Sequence, residues 1–180
     1  MASVLMVPGI GNSGPTHWQT LWEQREPQRF VRIEQADWER PEASAWCDGF
    51  EQAVRRAGGP VVVVAHSLGS LLAVMATPRS ADRIAAAMLV SVPDPASAAF
   101  PREETRGFES VPRAALPFPS LVVMSSNDPF GSVEHARALA GAWGSEFACI
   151  GDAGHINAAS GLGDWPQGQT LLARLTAGLR

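Results

Sequence analysis

Residues 60–69 read PVVVVAHSLG, an apolar run that ends in a turn of small and polar residues. The uncharged residues 60–65 predict a strand buried on both faces, as in a parallel sheet covered by helices. The small, apolar residues 68–77 predict a buried helix that stops at the following proline. Ser67 lies at the turn between this strand and this helix, which is the context of a nucleophile elbow.

The residues around Ser67 favour a nucleophile over the alternative, a serine that merely caps a helix after a strand. An elbow brings neighbouring backbone close to the positions two before and two after the serine, so only small side chains fit there. Ala65 and Gly69 occupy these positions. The helix that follows would also direct its N-terminal dipole toward an anion formed beside the serine.

The rest of the chain alternates strands with helices. Further strands are predicted at residues 4–8, 30–35, 84–92, 121–125 and 147–150, and further helices at 17–26, 43–57, 133–143 and 168–179. Residues 93–118, rich in proline, phenylalanine and charge, are expected to be irregular. This alternation predicts right-handed crossovers and a mostly parallel six-stranded α/β sheet with helices on both faces and little or no lid.

Length and charge limit the number of domains and the class of partner. The chain has 180 residues, of which 46% are hydrophobic, and we expect one domain over residues 1–180. The net charge of −4 argues against nucleic acid or an anionic membrane as a partner. The apolar run at 3–7 is too short for a signal peptide or a membrane span, and the two cysteines lie far apart. We therefore expect a cytoplasmic protein.

Two polar segments follow later strands, at the sheet edge where such folds place their chemistry. A serine hydroxyl needs a base to take its proton, and the base needs an orienting carboxylate. Asp128 follows the fifth predicted strand and His155 follows the sixth. The order Ser, Asp, His is typical of this architecture, so we predict Ser67 as nucleophile, Asp128 as acid and His155 as base. Asp94, which follows the fourth strand, is the alternative acid.

Three other histidines compete for the role of base. His66 lies inside the elbow and should point away from the serine. His17 begins the first helix, near the site but too early in the chain, and His135 lies in a helix expected to be exposed. Asn157, two residues after His155, is expected to hold the loop rather than to react.

Residues 8–14, PGIGNSG, follow the first strand and allow a rival interpretation. Gly9, Gly11 and Gly14 form G-x-G-x-x-G, and Glu34 lies 20 residues beyond the third glycine, as in a dinucleotide-binding protein. A proline directly after the third glycine, however, stands where the helix of such a protein would already run. This interpretation also leaves the predicted triad unexplained.

In the hydrolase interpretation, the same loop contributes to an oxyanion hole. One expected donor is the backbone N–H of Leu68, and the other is that of Ile10, with Gly11 as the next choice. The residues predicted to line the pocket are Gly11, Asn12, Trp18 and Trp165. Its apolar wall is expected from the irregular segment, from Phe100, Phe108, Leu116 and Phe118.

Five segments together resemble a known family. They are VPGIGNSGPTHWQ (7–19), QADW (35–38), VAHSLG (64–69), SSNDPF (125–130) and GHINAASGLGDWPQG (154–168). Along nearly the whole chain, they resemble the YdeN-like/retinoblastoma-binding-protein-9 family of small serine hydrolases. The resemblance implies a three-layer α/β-hydrolase fold that lacks the first two strands. It also implies a triad that falls on Ser67, Asp128 and His155.

We therefore predict an esterase-like serine hydrolase that cleaves a small ester, thioester or amide through an acyl-enzyme on Ser67. The expected partner is a small acyl substrate, and no metal or organic cofactor is implied. A retinoblastoma-type partner is not expected, because neither Cys47 nor Cys149 lies in a Leu-x-Cys-x-Glu segment. The alternatives are a Rossmann-like dinucleotide-binding protein and a non-catalytic binding protein on a hydrolase fold.

Overall fold

Residues 3–179 are described in a computed structural model of the protein. Its strands are β1 (Val4–Val7), β2 (Phe30–Arg32), β3 (Val61–His66), β4 (Ile84–Val90), β5 (Ser120–Met124) and β6 (Glu146–Cys149). Its α-helices are α1 (Trp18–Arg25), α2 (Ala43–Arg56), α3 (Leu68–Ser80), α4 (Val133–Trp143) and α5 (Pro166–Thr176). Within residues 3–179, no helix is long and apolar enough to cross a membrane.

The six strands form one parallel sheet in the order β2-β1-β3-β4-β5-β6. The strand β3 lies in the middle and is buried along its whole length. Strand residues of opposite parity face opposite layers. Val63 and Ala65 belong to a core with α2, α3 and α4, whereas Val62 and Val64 belong to a core with α1 and α5. The predicted α/β-hydrolase architecture, a parallel six-stranded sheet between two helical layers, is confirmed.

The helix α3 is longer than the sequence predicts. Proline lacks a backbone N–H and was expected to end the helix, but Pro78 lies inside it and the helix continues to Ser80. The last turn is held from outside, since Arg79 forms ion pairs with Asp48 and Glu51 on the neighbouring helix α2. These ion pairs join the last turn of α3 to α2.

Two other boundaries differ from the predictions for local reasons. The edge strand β2 ends at Arg32 rather than at residue 35, because the next N–H that the ladder would need from β1 belongs to residue 8, a proline, which has none. The helix α5 begins at Pro166 rather than at residue 168. Proline suits the first turn of a helix, where its missing N–H would have no partner.

The crossover between β4 and β5 is irregular, as predicted: among these described residues, 91–119, there is no helix and no regular strand. It is nevertheless anchored. The Arg106 carbonyl accepts from the Ala43 N–H at 2.9 Å, and the Arg106 N–H donates to the Pro41 carbonyl at 3.0 Å. Phe108 is fully buried against Trp46 of α2. The segment is thus fixed to the start of α2 and crosses the carboxyl edge of the sheet.

The turn after β3 packs tightly against the end of β1. A side-chain carbon on Gly69 would lie 2.5 Å from the Pro8 carbonyl oxygen and closer still to that of Val7. Real Cβ atoms essentially never approach a carbonyl so closely. The need for a small residue two positions after Ser67, inferred from the sequence, therefore has a structural cause.

We expect Gly69→Ala to lower the free energy of unfolding by about 1–3 kcal/mol, because overpacking displaces the backbone on one side of the contact. Urea denaturation would measure this loss. Gly141→Ala is the matched control, since Gly141 lies in α4 with nothing within 4 Å of an added carbon. It should be neutral or stabilising, by up to about 1 kcal/mol. Equal stability of the two variants would contradict the packing argument.

Candidate active site

Ser67 has an unusual backbone conformation. Its φ of 55° and ψ of −126° lie where residues other than glycine are rarely found. The conformation is held in place by the Ser67 N–H, which donates to the Val90 carbonyl at 2.9 Å, and by the Ser67 carbonyl, which accepts from the Ser70 N–H at 2.8 Å. This sharp turn is the elbow that the sequence predicts, and it places the hydroxyl at the carboxyl edge of the sheet.

The three residues predicted as a triad lie in contact. The Ser67 Oγ is 2.8 Å from the His155 Nε2, and the His155 Nδ1 is 2.9 Å from each carboxylate oxygen of Asp128. An ionised carboxylate can only accept, so the Nδ1 atom carries the proton and donates to it. The Nε2 lone pair is then free to accept from the serine hydroxyl. A general base requires this tautomer.

The side chain of Asp128 is buried and oriented by its surroundings, whereas the alternative acid contacts another histidine. The Asp128 side chain has no exposed surface, and its Oδ1 also accepts from the Phe130 N–H at 2.9 Å. Asp94 lies 3.5 Å from the His135 Nδ1 and accepts from a backbone N–H in its own turn. It does not contact His155, so the geometry favours Asp128 as the orienting group.

The loop that carries His155 is held in part by Asn127, a residue that sequence reasoning missed. The Asn127 Oδ1 accepts from the Gly154 N–H at 2.7 Å and from the Ser125 hydroxyl at 2.8 Å. This function was expected of Asn157, which instead caps the short 3-10 helix at Ala158–Ser160. The sequence feature that could have identified Asn127 is its position at the end of a strand, directly before the predicted acid.

The choice between two oxyanion donors can be made from hydrogen bonds. The Gly11 N–H donates to the Trp38 carbonyl at 2.8 Å and is therefore occupied. The Ile10 and Leu68 N–H groups have no acceptor among the described residues. The loop also lies against the elbow, since a carbon on Gly9 would be 2.9 Å from the Ser67 Cβ. Ile10 and Leu68 are thus the available pair.

The structure does not favour the rival interpretation of this loop as a dinucleotide-binding site, in which Glu34 would be the acidic residue that binds the ribose. Glu34 is 90% exposed at its side chain and lies 3.7 Å from Arg56 on α2. The first glycine of the motif packs on the elbow and the second donates to Trp38. The first two glycines are therefore accounted for by close packing on the elbow and by a backbone turn.

A cavity of about 430 Å³ opens above Ser67. Of the four residues predicted to line it, Asn12 does so and Gly11 does not. The prediction was also wrong for Trp18 and Trp165, which are each only 1% exposed. Their rings pack 5.0 Å apart in the core under α1 and α5, and the Trp18 Nε1 donates to a backbone carbonyl in the loop after His155.

The predicted apolar wall is correct at one position of four. Phe100 lines the cavity, but Phe108, Leu116 and Phe118 pack into the core under the crossover. Their side chains serve to attach this irregular segment to the sheet. The apolar lining comes instead from residues that were not predicted to form this wall, chiefly Ile10, Pro93, Pro101 and Phe130.

The remaining histidines are more closely involved than expected. His66 donates from Nε2 to the His155 carbonyl at 2.8 Å, and its ring lies 4.8 Å from that of His17. Burial, reinforced by the His155 and His17 rings, holds the pKa of His66 well below its usual value. Burial, with Arg32 and His155 nearby, lowers the pKa of His17 to about 4. His135, expected in an exposed helix, is mostly buried beside Asp94.

These buried neutral rings predict a loss of stability in acid. Both pKa values are lowered in the folded state, so below the unfolded value of about 6.5 the unfolded chain binds more protons. The free energy of unfolding should therefore fall between pH 7 and pH 5, by up to about 2 kcal/mol for each ring. Urea denaturation across this range would measure the loss.

The variant His17→Asn removes one of the two rings and keeps a side-chain oxygen to cap α1. It should lose the part of this pH dependence that His17 contributes, which separates this ring from other titrating groups. Stability that stays constant or rises from pH 7 to pH 5 would contradict the assignment of neutral buried rings.

Comparisons with known proteins agree with this geometry. Residues 4–174 match the family described as serine hydrolase. A YdeN-like hydrolase from Pectobacterium atrosepticum is 32% identical, with a TM-score of 0.86 over 98% of this chain and 91% of that chain. The ydeN gene product of B. subtilis is 17% identical, with a TM-score of 0.83 over 98% and 100%.

An esterase from Thermogutta terrifontis, 17% identical, has a TM-score of 0.68 over 97% of this chain and 88% of that chain, and shares the fold. No curated protein matches the sequence. The resemblance inferred from the five sequence segments is confirmed by the family match and by the Pectobacterium structure. Because that match spans most of the chain and the relative of 32% identity covers nearly all of it, this protein belongs to the serine hydrolase family, in its YdeN-like branch.

Proposed function

We propose that the protein hydrolyses small carboxylic esters, or thioesters and amides of similar size, through an acyl-enzyme on Ser67. The observation that carries the proposal is the continuous path of hydrogen bonds from Asp128 through His155 to Ser67, which ends at the floor of a cavity. A serine that only capped a helix would need neither the base nor the buried carboxylate. Family membership supports hydrolysis in general, and the cavity supports the choice of small substrates.

In the first half of the reaction, the Ser67 Oγ attacks the substrate carbonyl carbon while its proton passes to the His155 Nε2. The carbonyl oxygen becomes an oxyanion and accepts from the N–H groups of Ile10 and Leu68. Asp128 stays ionised and stabilises the imidazolium that forms. His155 then gives the proton to the leaving group, the bond to that group breaks, and the acyl group remains on Ser67.

In the second half, water attacks the acyl carbon and His155 takes a proton from that water. The same oxyanion donors bind the second tetrahedral intermediate. The bond to Ser67 breaks, the Ser67 oxygen recovers the proton from His155, and a carboxylic acid leaves. Water and these side chains supply every atom and proton that the steps require, so the proposal includes no metal or organic cofactor.

The size of the cavity supports a small substrate. A volume of about 430 Å³ lies at the lower end of the range of roughly 300–1,000 Å³ found for small-molecule sites. One wall is apolar, from Phe100 and Phe130, and suits a short acyl chain. The crossover that supplies part of this wall carries no helix over the described residues 91–119 that could act as a larger cap.

We expect Ser67→Ala to abolish hydrolysis of 4-nitrophenyl acetate, with a loss on the order of 10⁶ in kcat, and to prevent labelling by a fluorophosphonate. Ser110→Ala, at an exposed serine in the crossover, is the control and should keep both properties. Circular dichroism would verify that each variant is folded. A Ser67→Ala protein that keeps a tenth of the activity would overturn Ser67 as nucleophile, and a wild-type protein that neither labels nor hydrolyses would favour a binding protein.

Asp128→Asn should lower kcat by about 10⁴, because the amide can offer its NH₂ group to Nδ1 and so stabilise the wrong tautomer of His155. Asp94→Asn is the matched change at the alternative acid, and it should keep most of the activity since Asp94 contacts His135 instead. Initial rates with one ester would compare the two variants. A greater loss in Asp94→Asn would transfer the role of acid to Asp94.

A further inference from the structure

Two asparagines in the cavity have their oxygens already occupied. The Asn12 Oδ1 accepts from the Ser13 N–H at 2.7 Å and from the Arg32 guanidinium at 2.9 Å. The Asn157 Oδ1 accepts from the Ala159 N–H at 3.0 Å. Backbone N–H and guanidinium groups only donate, so the atom facing them must be the amide oxygen. Each NH₂ group is then left as a donor, and both residues line the cavity.

A third donor comes from His17. Its Nδ1 accepts from the Gln19 N–H at 3.2 Å, as the N-cap of α1, so the neutral ring carries its proton on Nε2. The residue is 4% exposed and lines the cavity, yet Nε2 has no hydrogen-bond partner in the part of the chain that the structure describes. The lowered pKa of His17 keeps the ring neutral near pH 7. Buried N–H groups left unpaired are rare and destabilising, so this one calls for an acceptor.

Two of these donors lie near His155, the residue that protonates the leaving group in the proposed reaction. The ring of His66 lies 4.8 Å from that of His17 and 4.9 Å from that of His155. Asn157 follows His155 by two residues. The base must reach the leaving group to protonate it, so that group lies near these side chains. No Asp or Glu side chain is among the described residues that line the cavity.

We infer that Asn12, His17 and Asn157 bind a second carbonyl oxygen, one carried by the leaving group of the substrate. The inference rests on the proposed function and deepens it by naming the substrate class: esters, thioesters or amides of small carbonyl-bearing alcohols, thiols or amines. A carbonyl oxygen has two lone pairs and no proton, so it can only accept, and it can pair with two of these N–H groups at once. A plain alkyl leaving group would leave the His17 N–H unpaired.

Two acetates of the same shape test this inference. The leaving group of 2-oxopropyl acetate carries a ketone, and that of 2-methylprop-2-enyl acetate carries a C=CH₂ group in its place. Hydrolysis in a pH-stat gives kcat/KM for each, and the ratio of ketone to alkene is the measured quantity. Comparing this ratio between variants cancels both the intrinsic reactivity of each ester and any general loss of activity.

Asn12→Asp replaces the NH₂ donor by an oxygen of nearly the same shape, and aspartate tolerates the left-handed backbone at this position. His17→Asn keeps the helix cap and removes the donor at the far side of the ring. Each variant should lower the ratio about three- to tenfold, the effect of one hydrogen bond. The control is His135→Asn, which also removes a mostly buried imidazole but lies outside the cavity. It should leave the ratio unchanged.

A ratio that stays at the wild-type value in both cavity variants would overturn the inference. So would a wild-type protein that turns over 4-nitrophenyl acetate but prefers the alkene ester, and that result would leave the proposed function intact. A wild-type protein that hydrolyses none of the three esters would overturn the proposed function together with the inference. Failure of the two proposals can thus be told apart.

Discussion

The loop after β1 and the turn after β3 press against each other, and the geometry of the site depends on this contact. Each turn presents a glycine to the other: Gly9 faces the Ser67 side chain, and Gly69 faces the carbonyl of Pro8. Because β1 and β3 are paired neighbours in the sheet, both turns leave it together. The strained turn at Ser67 is therefore packed against the loop after β1, and Ile10 and Leu68, whose N–H groups are unpaired among the described residues, line the same cavity.

The sequence was sufficient to predict which three side chains meet. Ser67, Asp128 and His155 each follow a strand, and the carboxyl ends of parallel strands share one edge, so chain order alone brings them together. Local patterns also predicted the sheet, since a buried parallel strand such as β3 is apolar on both faces. The sheet follows from the periodicity of the apolar residues, and the meeting of the three side chains follows from the order of the strands. Both can be inferred from the sequence.

The surroundings of those side chains were harder to predict, because they depend on how loops fold over the sheet. Trp18 and Trp165 flank the site in sequence but turn into the core, where large aromatic rings lose more water-exposed surface. Phe108 likewise anchors the crossover rather than lining the cavity. The function of Asn127 depends on a backbone N–H that lies 27 residues later in the chain. Neither segment contains a sequence pattern that indicates this hydrogen bond.

The anchoring of the crossover at Arg106 and Phe108 has a kinetic consequence for the proposed reaction. A wall fixed by backbone hydrogen bonds and a buried ring need not open and close with each turnover, so substrate exchange would not wait for a gating motion. Because residues 91–119 carry no helix that could cover the cavity, an acyl-enzyme formed in the proposed reaction would stay within reach of bulk water. In the proposed reaction, such an arrangement would favour deacylation by water, the step that releases the carboxylic acid.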